Sequence, residues 1–179
     1  MPSLTFGFLV CGYLPGLPIA FAIYFAISAL QSQSCLASLI SNENFWLAYL
    51  LVTPLIFGLL LDGIRHGIGI IYNTCPCLKT HLKFLEFFLW EKLTPEDLKK
   101  AAERHLLKEI YEQYSTHYHM FEFAYNLFLS NIISIIIIWF TPDHELNDYI
   151  LILFILAMVG LSVGWVYKME TKILLNKWF

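Results

Sequence analysis

Four long apolar runs, joined by two short polar connections and one long charged one, restrict this chain to a membrane-embedded helical bundle. They are roughly Leu4–Leu30, Phe45–Tyr72, Phe121–Phe140 and Tyr149–Tyr167. A hydrocarbon core of about 30 Å takes about 20 helical residues to cross, and each run meets that length. Inside lipid the backbone must satisfy its own hydrogen bonds, so such runs cross as helices. Only 14% of the 179 residues are charged, whereas soluble domains carry about 25%. The expected fold is all-α: a polytopic membrane protein with four transmembrane helices and a cytoplasmic helical excursion between helices 2 and 3.

The cations set the orientation. All eleven (Arg65, Lys79, Lys83, Lys92, Lys99, Lys100, Arg104, Lys108, Lys168, Lys172 and Lys177) fall at the inner end of the second run, in 73–120, or after the fourth run. The connections 31–44 and 141–148 hold only acids: Glu43, Asp143, Glu145 and Asp148. The positive-inside rule then puts both termini and loop 73–120 in the cytoplasm. The first run is longer than a signal-peptide core and no Lys or Arg precedes it, so it is expected to stay as a span.

Three regions follow. Residues 1–72 make a first transmembrane hairpin, with spans about 4–30 and 45–72. Residues 73–120 make cytoplasmic amphipathic and charged helices. Residues 121–179 make a second hairpin, spans about 121–140 and 149–167, with a short basic tail. Glu96 to Thr141 contains no Gly or Pro over 46 residues. Thr94 is placed as its N-cap, with Pro95 at the first helical position. A single rod of about 70 Å is one outcome; a break at Ser115-Thr116-His117, where helix propensity is lowest, is the other. Residues 82–92, with Leu82, Leu85, Phe88 and Leu89 at helical spacing among lysines, form either an in-plane helix on the inner leaflet or a helix packed under the bundle. Leu98, Ala102, Leu106, Ile110 and Tyr114 make an apolar ridge that needs a partner surface.

Small residues mark where helices approach. Gly63 and Gly67 form a GxxxG pair in the second span, Gly160 and Gly164 another in the fourth, and Gly12 and Gly16 a third around Pro15. Such pairs bring backbones together in lipid. Ala22, Ala26 and Ala29 add a small face to the first span.

Two polar stripes carry the chemistry available. Ser115, His119, Glu122, Asn126, Ser130 and Ser134 recur every three or four residues on the third span, and Asp62, Arg65, His66, Gly69 and Asn73 do so on the second. Measured from Tyr118 and Tyr72, Glu122 lies about 6 Å deep and Arg65 about 10 Å deep by helical rise. A charge in hydrocarbon costs about 2.5–3.5 kcal/mol on insertion scales. Arg65 is therefore expected to pair with Glu122 or, within its own helix, with Asp62, with His66, His119 and Asn126 in the same network.

His66, His119 and Glu122 are weak candidates for a metal site, with Asp62 opposite. Gly63-Ile64-Arg65-His66 resembles a fragment of the cytochrome b subunits of succinate dehydrogenase. In that family a haem-ligand His stands four residues before the Gly; that position is Leu59 here, so the resemblance implies no haem ligand. Cys75, Cys77 and His81 supply three zinc ligands where a structural site takes four. No nucleophile triad, phosphate-binding glycine loop or HExxH is present. The expectation is a non-enzymatic module without cofactor: an oligomeric channel, transport or effector subunit whose cytoplasmic helices dock a soluble protein. A metal- or haem-dependent enzyme built on Asp62, His66, His119 and Glu122, or an anchoring subunit of a larger complex, are the alternatives. The bilayer and further copies of the chain are expected partners; a nucleic acid is not, since no basic patch of suitable size exists.

Overall fold

The computed structural model describes residues 12–30, 43–82, 89, 95–103, 107–141 and 147–178, and these are helical with no strand among them. In chain order the helices are α1 (Leu14–Leu30), α2 (Glu43–Thr74), α3 (Pro76–His81), α4 (Pro95–Glu103), α5 (Leu107–Trp139) and α6 (Asn147–Trp178). Three of them contain stretches long and apolar enough to cross a membrane: Phe45–Thr74, Glu112–Trp139 and Asp148–Asn176. The apolar part of α1, Leu14–Ala29, is shorter, and the first stretch of the run expected from Leu4 lies outside the described residues. Leu51, Ile56, Leu60, Ile64, Ile71, Leu151 and Ile155 turn outward and stand at least half exposed. A belt of that kind suits lipid and is far larger than a soluble surface tolerates.

α5 is the hub. It packs along α6 as an antiparallel pair and alongside α1, which in turn packs on α2; α2 touches α5 over a small area only. α1 and α6 flank α5 and meet where Phe25 stacks on Tyr149. They leave an apolar cleft of about 470 Å³ lined by Leu17, Phe21, Phe123, Leu127, Leu153 and Leu156, among others.

Where α1 crosses α2, the backbones nearly touch. A Cβ at Gly16 would overlap the Pro54 carbonyl and come within 2.9 Å of the Gly58 nitrogen, and one at Gly58 would overlap Gly12. Pro54 has no N–H, so the Leu50 carbonyl loses its partner within the helix; the Tyr13 hydroxyl donates to it at 2.9 Å. Neighbours re-satisfying a proline-freed carbonyl are what make Pro tolerable in a span. Further along, the Tyr49 hydroxyl donates to the Ala20 carbonyl at 2.7 Å. Trp46 stacks on Tyr49 and meets Tyr24, and Phe25 stacks on Tyr149. These rings make one end of the bundle aromatic.

The glycine pairs, expected to make contacts within the chain or between copies, fare differently. Gly63 and Gly67 meet nothing within 4 Å among the described residues, because α2 has passed α1 by that point and leans on α5 with its other side. In the crossing with α1, the α2 glycine is Gly58. Gly160 and Gly164 do serve α6: added Cβ atoms would stand 2.8 Å from the Ala124 carbonyl and 2.9 Å from the Tyr125 ring. The helix does not break at Ser115–His117, since Thr116 and His117 direct their side chains at the carbonyls of Glu112 and Gln113 within an unbroken α5. α6 runs to Trp178, carrying the helix on through Lys168 and Lys172 of the basic tail. Most of the amphipathic stretch 82–92, together with Thr94 and Leu106, lies outside the described residues.

Candidate functional site

The limited α2–α5 contact is made by charge. Arg65 lies on the α2 face turned to α5 and is 7% exposed; Glu122 opposite is 6% exposed. The Arg65 Nη2 donates to Glu122 Oε1 and also to Asp62 Oδ1, the latter at 2.8 Å. One guanidinium thus joins a carboxylate of its own helix to one from α5. A pair of this type needs both partners, because removing either leaves a desolvated charge.

Imidazoles surround the pair. His66 Nδ1 lies 2.9 Å from the Asp62 carbonyl and 3.4 Å from its Oδ2. His66 Nε2 lies 3.2 Å from the Tyr118 hydroxyl and 4.0 Å from Glu122 Oε1. Each ring nitrogen has an oxygen neighbour that can accept, so the ring keeps its partners whether neutral or protonated. His119 Nδ1 lies 3.4 Å from Glu122 Oε2. The Arg65 guanidinium carbon sits 5.8 Å from the centre of the Tyr118 ring, within cation–π range.

Asp62, Arg65, His66, His119 and Glu122 are thus assembled into one network. Asn126 is fully buried one turn beyond Glu122. Sequence reasoning missed Tyr118 as a member, although it stands four residues before Glu122 and so shares its face. It also missed the tie between α5 and α6, where His117 Nε2 lies 3.3 Å from Glu170 Oε2 and its ring meets Tyr167 edge-on.

No protein-family model matches this chain, and no curated protein or solved structure matches it either. Its chemistry is therefore read from the site alone.

Asp62, His66 and Glu122 bring donor atoms within 4.8 Å of one another, as a metal site requires. His119, expected in that set, is not part of it. Arg65 already occupies an oxygen of both carboxylates, so an added cation meets a fixed positive charge at contact distance. Cys75 and Cys77 are free thiols and are not gathered with other ligands among the described residues.

The charge count is the more informative property. Two carboxylates face one guanidinium, leaving one negative charge in excess. The buried Glu122 is balanced by Arg65, and the second carboxylate, Asp62, is part-exposed.

Proposed function

We propose that this chain is a non-enzymatic multi-pass membrane module of the channel or transport kind, whose working centre is the network of Asp62, Arg65, His66, His119 and Glu122. Run 4–30 serves as the first of four spans. The charged end, with loop 73–120 and both termini, lies in the cytoplasm, where the one-sided cations favour it. The observation that carries the reading is a buried pair of opposite charges, Arg65 and Glu122, that joins two helices and is continued outward by the part-exposed Asp62 and His66. Such a cluster binds and releases a monovalent positive charge, which is the elementary act of a proton- or cation-coupled device.

The exposed helix α4, with Glu96, Lys99, Lys100 and Glu103 at its surface, is the docking element for a soluble partner. The uncovered Gly63/Gly67 face of α2 is the contact for further copies of the chain.

The test is flux through liposomes holding the purified protein, with a pH-sensitive dye for protons and a separate readout for sodium and potassium. Flux above empty liposomes, falling about tenfold or more in Glu122→Gln, is expected. Liposomes that stay tight to all three ions overturn the proposal. The ligand-like geometry of Asp62, His66 and Glu122 supports a second reading, a metal-dependent enzyme or redox subunit. Stoichiometric metal in the purified protein, lost in His66→Ala, would favour that reading over transport.

A further inference from the structure

Beyond Glu122 the interior face of α5 stays polar for three more turns. Asn126, Ser130, Asn131 and Ser134 are each 0% exposed. Several other serine and threonine hydroxyls among the described residues are settled by their own helix. Ser134 donates to the Ser130 carbonyl, Ser162 to that of Met158 and Thr171 to that of Tyr167, all at 2.8–2.9 Å. Ser130 breaks the pattern: its Oγ has no hydrogen-bond partner among the described residues. The same is true of Asn131 Oδ1, although Asn131 Nδ2 donates to the Leu127 carbonyl at 2.7 Å.

Leaving a buried hydroxyl or amide oxygen bare costs about 1–3 kcal/mol, and lipid tails offer nothing to bond. Water is the partner that fits, since internal waters bridge polar groups of this kind. The wet character then stops within one turn. Ile138, four residues past Ser134, is 3% exposed and packs on Ala22, with Phe25, Ile137, Ile150 and Leu153 around them. That cluster presents no polar side chain.

We infer that water occupies the bundle interior beside Ser130 and Asn131, and that this hydrated row is a proton-conducting half-path from the Arg65–Glu122 network, closed at its far end by the Ala22–Ile138 cluster. The conducting role rests on the transport reading above; the hydration does not. Protons suit the row better than metal cations, because hydroxyl and amide groups can orient relay waters while no residue from Asn126 to Ser134 carries a charge. Each hop breaks one O–H bond and forms the next, so net charge within the row is conserved behind the moving proton.

The test uses the full chain in liposomes, with its native cysteines replaced by serine and single cysteines introduced as Ser130→Cys, Ser134→Cys or Ile138→Cys. A charged methanethiosulfonate reagent reacts with the thiolate, which needs water to form. With reagent on the charged-end side, Ser130→Cys is expected to react about tenfold or more faster than Ile138→Cys. Equal, slow rates at both positions overturn the hydrated row. Should the cysteine variants fail to fold, water-edited solid-state NMR on the unaltered protein takes their place. Transfer from water to the Asn131 side-chain amide supports the inference, and no transfer overturns it. A reactive Ser130→Cys in a protein that passes no protons overturns the transport reading and the conducting role while leaving the hydrated row. An unreactive Ser130→Cys in a protein that does pass protons removes the row and leaves transport.

Discussion

Between Tyr49 and Gly58, α2 meets α1 through bare backbone; between Asp62 and His66, it meets α5 through ions. The first joint depends on missing atoms: Gly16 and Gly58 have no side chain to hold the helices apart, and the gain is dispersion over a close contact. It carries no Asp, Glu, His, Lys or Arg, and its tyrosine hydroxyls donate to backbone carbonyls, so it holds no charge pair for salt or acid to act on. The second joint depends on opposite charges facing each other across a small contact area. Replacing Arg65 or Glu122 by a neutral residue changes its charge balance directly. One helix is therefore joined by backbone packing along one half and by ions along the other.

The largest effect expected comes from the ionic joint. Arg65→Leu strands Glu122 and Asp62 and should cost about 3–5 kcal/mol of stability, read as a fall in thermal unfolding temperature in detergent or bicelles. Adding Glu122→Gln to that variant should recover much of the loss. If the double variant is no better than the single one, the joint is held by something other than charge. Next comes the backbone joint. Gly58→Leu drives a side chain into the Gly12 backbone and should cost at least about 1–3 kcal/mol, the usual penalty for overpacking. Unlike the first effect, its size should not change with pH. A pH-dependent penalty would remove the contrast drawn between the two halves. The smallest effect belongs to Gly63→Ala, which meets open space and should stay within about 0.5 kcal/mol in the protomer. A marked loss of larger assemblies in light scattering, with protomer stability unchanged, would sharpen the picture by making this face a contact between copies.

Much of this arrangement was legible in residue order. An ionisable group in an apolar run must find an opposite charge, and the similar depths of Arg65 and Glu122 narrow the choice of partner. Glycine spacing was a poorer guide. Gly63/Gly67 and Gly160/Gly164 are the same pattern, yet one pair is uncovered and the other lies against α5. A GxxxG pattern reports what a helix permits, and the topology decides whether a neighbour arrives. Gly58 stayed hidden because it has no spaced twin in its own span; its counterparts, Gly12 and Gly16, belong to another helix. The extension of α6 to Trp178 was equally invisible. Lysines mark where a chain leaves lipid, whereas a helix ends only where its hydrogen bonding is capped or broken.

The unbroken course of α5 through Ser115–His117 has a mechanical consequence. Its 33 residues form a shaft about 50 Å long. The first turns, with Lys108 and Glu112, stand exposed, while Ser130 and Ser134 lie deep inside. Torque applied to the exposed turns has no hinge at that point in which to dissipate. A protein gripping them would turn Ser130 and Ser134 inside the bundle without touching either.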